Sequence, residues 1–178
     1  MTSPAVLPKI SGAEALCLLQ AGKAVRGYRV VGSLNFHEDD PAHPVLLEQC
    51  WDENLKAVHL SFKSPVRLAN CHFVRRDFSF AYFLQGLTIE NCAFENYLNF
   101  QSGGHNQPGF LLHLLRNTFH GFVNFFDCWY RAAVQIEHND FLGQTNLLSF
   151  SANYMAFDVV PHIQHNTGEL HRTDEGIA

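Results

Sequence analysis

The sequence predicts an all-β solenoid, a parallel β-helix of about six to seven coils with an N-terminal capping helix, on three observations. First, the pattern apolar-x-(Leu or Ile)-x-x-(Cys or Asn) occurs six times. It is anchored at Leu47 and Cys50, Leu68 and Cys71, Ile89 and Cys92, Leu114 and Asn117, Ile136 and Asn139, and Ile163 and Asn166. The intervals from Leu47 to Ile163 are 21, 21, 25, 22 and 27 residues, too short for the helix pairs of longer-period repeats. Second, apolar and mostly polar positions alternate within each repeat, as in Val66-Arg67-Leu68 and Val134-Gln135-Ile136, which is the period of a half-buried strand. Third, Phe73, Phe94, Phe119 and Phe141 each lie two residues past the Cys or Asn of the middle four repeats, where they form a stacked core column. At about 4.8 Å per coil the rod is roughly 30 Å long.

The elements follow in order. Residues 1–10 read as a flexible N-terminus. Ser11-Gly12-Ala13-Glu14 is a capping box, with Ile10 as a staple partner for Ala15. Leu16, Leu18 and Leu19 continue the helix and Gly22 ends it. Residues 11–21 therefore cap the first coil, whose open edge needs cover. The β-helix domain spans 25–166. The residue before each Cys or Asn is polar in every repeat (Gln49, Asn70, Asn91, Arg116, His138, His165), which marks it as a bend between strands.

A second column, Asn99, Asn124 and Asn146, falls five residues past Phe94, Phe119 and Phe141. The triplets Leu34-Asn35-Phe36, Leu60-Ser61-Phe62 and Phe78-Ser79-Phe80 extend it into earlier coils. His37–Pro41 is an acidic loop, and Gln101–Gly109 a second loop that explains the 25-residue interval. Residues 167–178 are polar and expected to be a disordered tail. Phe150, Tyr154, Met155 and Phe157 make the last coils apolar without an evident cap, so a two-fold homodimer through that end is expected.

The chain has 178 residues, a single domain by length, 47% apolar with 16 Phe, enough for one continuous core. The net charge of −5 and the absence of a basic run exclude a phosphate-backbone binder. No apolar stretch of membrane-spanning length and no signal-peptide layout appear, so no membrane partner and a cytoplasmic location are expected. Five cysteines, three of them at one repeat position, read as free buried thiols of a reducing compartment. A three-thiolate metal site is the alternative, disfavoured because Asn takes that position in the next three coils.

The run Leu68, Phe73, Phe78, Phe83, Thr88 advances five residues at a time, with small Cys71, Ala81 and Gly86 two positions before three of them. Over residues 66–100 the chain resembles the pentapeptide-repeat proteins. The resemblance implies a right-handed quadrilateral β-helix without catalysis. Coils of 21 or more residues, and Arg76 where a small residue is expected, depart from that pattern and leave a square or a triangular cross-section open. The family's best-known members imitate DNA to bind topoisomerases, but no motif here carries that role over.

Candidate interaction residues are the outward Glu90, His113, Arg116, Glu137 and His138, and the aromatic pair Trp129 and Tyr130 that breaks the repeat. The His and Glu columns allow a metal or acid–base site, yet a solvated polar face explains them equally, and no metal-ligand spacing such as HxH occurs. Glu90 and Glu137 share a column with Leu115 between them, about 9–10 Å apart, near or beyond the upper end of an inverting glycosidase pair. The expectation is a non-catalytic protein-interaction scaffold, with no catalytic residue, cofactor or metal and an unidentified protein partner. A β-helix carbohydrate-active enzyme and a self-assembling rod are the alternatives.

Overall fold

Turn by turn, the repeat closes into a parallel β-solenoid of about six turns with a helix near its N-terminus. The computed structural model describes residues 6–37 and 43–176, Phe150 and Ser151 by backbone only, so Glu38–Pro41 of the acidic loop lie outside the described residues. Each coil has three strand faces.

The first face stacks Val25–Arg26, Val45–Glu48, Val66–Ala69, Leu87–Glu90, Leu112–Leu115, Val134–Glu137 and His162–Gln164. Its register is that of the sequence repeat: Leu47 pairs with Leu68, then Ile89, Leu114, Ile136 and Ile163 in turn. The predicted bend is a left-handed corner in every coil, with φ between 51° and 55° at Gln49, Asn70, Asn91, Arg116, His138 and His165. This conformation costs a non-glycine residue roughly 1–2 kcal/mol. A ladder just inside the corner offsets it. Cys50 and Cys71 donate their backbone N–H to the next coil's Sγ, each at 3.4 Å, and Cys92, Asn117 and Asn139 donate theirs to the next Asn Oδ1 at 2.9–3.0 Å.

The second face carries two inward columns. Through Trp51–Lys56 and His72–Asp77 the inward residues are three apart (Asp52 and Leu55, Phe73 and Arg76); from the next coil they are four apart (Phe94 and Leu98, Phe119 and Val123). The added residue forms its own column, Asn96, Gly121 and Gly143. A Cβ on Gly121 would meet Asn96 at 2.2 Å, and one on Gly143 would meet Gly121 at 2.2 Å, so side chains are excluded once the column has begun. At the changeover, Arg76 turns its buried guanidinium over the Phe94 ring and donates to the carbonyls of Val74 and Asn96. Burial lowers its pKa to about 9. Asp52, also fully buried, has neither carboxylate oxygen hydrogen-bonded among the described residues, and burial pushes its pKa up to about 8.

The third face stacks Ser61–Phe62, Tyr82–Phe83, Gly104, Trp129–Tyr130 and Ala156–Phe157. The Phe73, Phe94, Phe119 and Phe141 rings stack at 5.1, 5.0 and 4.9 Å, the spacing of the coils themselves. Phe78, Phe100 and Phe125 form a parallel column at 5.5 and 5.3 Å.

Several expectations change. Leu68, Phe73, Phe78 and Phe83 all point inward, but Thr88 pairs with Arg67 on the outside and Ile89 takes the inward place, because the coil is one residue longer than four fives. Asn35 does join the second column, through Lys56 and Asp77 to Asn99 and Asn124. Ser61 instead pairs with Tyr82 on the third face, and Ser79 lies two residues beyond the column, bonded to Asp77.

The ends are more structured than their composition implies. Lys9–Ser11 pairs with Arg29–Val31, and the helix Gly12–Gln20 carries both capping-box bonds, with Ala15 and Leu19 buried. Thr167–Gly168 pairs with Asp140–Phe141, and Glu169 and Leu170 continue along the second face. In the Gln101–Gly109 loop, Asn106 is buried and donates to Phe110 O and Ala133 O at 2.9 and 3.0 Å, which ties the insertion into the wall.

Candidate functional site

Two surfaces of opposite character flank the core. The first face presents Glu90, His113, Glu137 and the corner residues Arg116 and His138, as the alternation requires. Glu90 lies between two cations: Arg67 donates to one oxygen at 2.9 Å and Arg116 to the other at 2.9 Å, while Arg116 Nε also reaches Asn91 Oδ1 at 3.1 Å. The bond from Arg67, more than any other influence, holds the Glu90 carboxyl below its ordinary pKa. Glu137 pairs with His162 at 2.9 Å, and the His138 and His165 rings stack at 4.8 Å. His113 sits between Thr88 and Gln135. Leu115 stands between Glu90 and Glu137, so the two carboxylates, each bonded to its own partners, do not converge on one point.

Alongside this corner runs a groove of about 480 Å³, lined by Gln49, Trp51, Asn70, His72, Asn91 and Arg116. The Trp51 and His72 rings stack face to face at 3.6 Å. Burial lowers the His72 pKa, although Glu95 Oε1 lies 3.0 Å from its Nε2 and acts in the opposite sense. His113 Nε2 is buried without a hydrogen-bond partner among the described residues. Cys50, Cys71 and Cys128 are buried thiols with raised pKa values, Cys128 to about 12 because it is desolvated, so they stand protonated as packing groups.

The third face is aromatic. Trp129, 42% exposed, donates its indole N–H to Asp158 Oδ1 at 2.8 Å and lies beneath the Arg131 guanidinium. His105 fills the outward space that Gly104 leaves, with its ring 4.1 Å from Tyr82 and 5.4 Å from Trp129. Burial and the neighbouring Arg131 keep that imidazole below its usual pKa. At the adjacent corner, His59 stacks on Phe80 at 4.4 Å, and Tyr154, 70% exposed, meets Phe126 edge to face. Tyr130 is not part of this surface. It is 1% exposed and stacks on Phe157 inside the coil, because strand alternation sends neighbours Trp129 and Tyr130 to opposite sides.

The sequence reading missed Phe80, Tyr82 and His105. A usable signal existed: the corner positions His59, Phe80, Ser102, Asp127 and Tyr154 lie 21, 22, 25 and 27 residues apart and all have φ between 51° and 56°.

No family model, characterised protein or solved structure matches this chain. The fold alone defines its class, a parallel β-solenoid. Among the described residues no helix is long and apolar enough to cross a membrane.

Proposed function

We propose that this solenoid is a non-catalytic protein-interaction scaffold that presents its third face and adjoining corner to a protein partner. The observation that carries the reading is the contrast between the two surfaces. On the first face the carboxylates are already engaged, Glu90 by Arg67 and Arg116 and Glu137 by His162, at 2.9 Å each. On the third, Trp129, Phe80 and Tyr154 expose large rings held in fixed positions by Asp158, His59 and Phe126. Such rings contribute contact area at little conformational cost and dominate interface energetics. Four inward residues at five-residue steps, Leu68 to Phe83, support a pentapeptide-repeat-like scaffold across one coil. The free thiols, buried at Cys50, Cys71, Cys92 and Cys128 and exposed, against expectation, at Cys17 on the capping helix, are compatible with the cytoplasm.

The test is co-purification of the tagged full chain from native extract, comparing the natural sequence with Trp129→Ala and Tyr154→Ala. A stoichiometric partner lost from either variant, with unchanged thermal stability, supports the reading. A partner retained by both places the contact elsewhere.

A second role is self-association through the last coil. It rests on the exposed edge strand His162–Gln164 and on Val160, 92% exposed, beside it, at the end opposite the helix cap. A monomeric mass at micromolar concentration in solution overturns it.

A further inference from the structure

After Gly168 the chain completes one more rung against the second face, with Thr145 N–H donating to Glu169 O and Leu148 N–H to Leu170 O, both at 2.9 Å. It then leaves the solenoid path. An ion pair from Arg172 to Asp174 stiffens a turn, and Gly176 N–H returns to Asp174 Oδ1 at 3.3 Å. From there the tail lies across this coil and the two before it. Buried Asn146 donates to Asp174 O at 3.2 Å in the sixth coil. Gly176 lies against the Phe122 ring one coil back, and Tyr97 Oη donates to Glu175 O at 2.8 Å two coils back. A Cβ at Gly176 would come within 2.5 Å of that ring, and its φ of 72° also favours glycine.

Beneath the tail is a channel lined by the Gly143 backbone and the Phe122 ring, on which the Tyr97 ring stacks. The tail leaves it partly unfilled: a cavity of about 510 Å³ remains between His120, Phe122, Gly143 and Gln144 on the rod and Arg172 and Asp174 above.

We infer that this channel is a binding site for an extended peptide, which the chain's own residues 172–176 occupy and which a partner segment with glycine at the place of Gly176 enters by displacing them. The recognition combines backbone contacts with one position that selects glycine. Two side-chain donors, Tyr97 Oη and Asn146 Nδ2, read successive backbone carbonyls, an aromatic wall takes the flat face of the chain, and only glycine fits against Phe122. The tail crosses the strands and adds no ladder hydrogen bonds beyond Arg172 N–H to Thr145 O, so few bonds oppose its release. The inference deepens the scaffold reading by naming a second contact, and it stands on a different face from Trp129.

The test uses the full chain and a fluorescent peptide of residues 169–178, read by anisotropy. Gly176→Val expels the tail from Phe122 without touching the core. The expected result is at least tenfold tighter peptide binding by Gly176→Val than by the natural chain, weakened several-fold when Tyr97→Phe is added. Hydrogen exchange should show the amides of 172–176 released in Gly176→Val. Equal peptide affinity for the two proteins, equal affinity for a scrambled peptide, or tail amides as protected in the variant as in the natural chain would each overturn the site. None of these outcomes touches the co-purification test at Trp129 and Tyr154, so failure of the channel and failure of the scaffold are separable.

Discussion

The inner corner ladder is built from cysteine in one half of the rod and from asparagine in the other, at the same backbone position. In the cysteine half, each rung is a single N–H···S contact at 3.4 Å, and Cys71 and Cys92 turn their thiols back to the carbonyls of Ala69 and Glu90 two residues earlier in their own coil. In the asparagine half, each rung has three bonds. Asn139 Oδ1 accepts from both Asn117 N and Asn117 Nδ2, and Asn117 Nδ2 also reaches Ile89 O, with the same set repeated from Asn139 to Asn166. The position therefore requires only a small side chain that accepts an N–H from the coil before. How many further bonds it makes is free to vary. The halves differ in buried charge as well. Asp52 and Arg76 both lie in the cysteine half, while the inward second-face positions of the later coils are Phe94 and Leu98, Phe119 and Val123, and Phe141 and Thr145.

The comparison can be broken most severely at the column both halves share. Phe94→Ala removes a fully buried ring stacked between Phe73 and Phe119, and should cost about 3–5 kcal/mol in urea unfolding. An unchanged unfolding midpoint would sink the register described above.

Asp52 gives the next effect. Its folded pKa of about 8 lies above the unfolded value near 4, so the unfolded chain releases its proton first as pH rises. Stability should fall between about pH 4 and pH 8 and then level. Asp52→Asn should remove this slope and be more stable than the natural chain at pH 8, by a few kcal/mol on the linkage relation. Parallel pH profiles of thermal melting for the two proteins would show that the carboxyl is charged and solvated in the folded chain.

Asn139→Ala strips one rung of the asparagine ladder: it takes the acceptor from the buried Asn117 N–H and removes the side-chain bonds to Leu114 O and Asn166 Oδ1, an expected loss of about 2–3 kcal/mol. The matching Cys71→Ala change loses two weak sulfur contacts, the one accepted from Cys50 N–H and the one donated to Ala69 O, and a small side chain, about 1 kcal/mol by the same measurement. Equal losses at the two sites would remove the distinction between the halves. The smallest effect tests it constructively. Cys92→Asn extends the asparagine ladder by one coil and should stabilise by about 0.5–1 kcal/mol, whereas a destabilisation would mean that the cysteine half is too tightly packed to accept the amide.

The sequence could be read furthest where each coil asks the same thing of the same position. The six strand registers of the first face, the left-handed bends at Gln49 through His165 and the Phe column were all legible, because alternation and corner chemistry are local properties repeated at a fixed interval. Register was lost where a coil changes length between corners. Thr88 and Ile89 differ by one residue in a five-residue count, and Ser61 and Ser79 were assigned to a column that Asp77 and Lys56 occupy. In the candidate surfaces, Glu90, Arg116, Glu137 and His138 face outward as expected, but nothing local showed that Arg67, Arg116 and His162 would engage the carboxylates from adjacent coils. Tyr130 beside Trp129 read as a pair because the insertion before them hid the alternation that separates them.

By itself the sequence determined that this chain coils, where each coil turns and which residues stack in its core, since burial of apolar positions at a constant period admits few other packings. Only the tertiary structure decided what stands beside what across coils: the ion pairs that quiet the first face, the aromatic cluster of the third, the Arg76 changeover, and the tail that returns over Phe122 and Tyr97. Those contacts join residues whose separation along the chain differs from place to place, and the tail is held through its own backbone carbonyls, which every residue carries and no sequence pattern distinguishes.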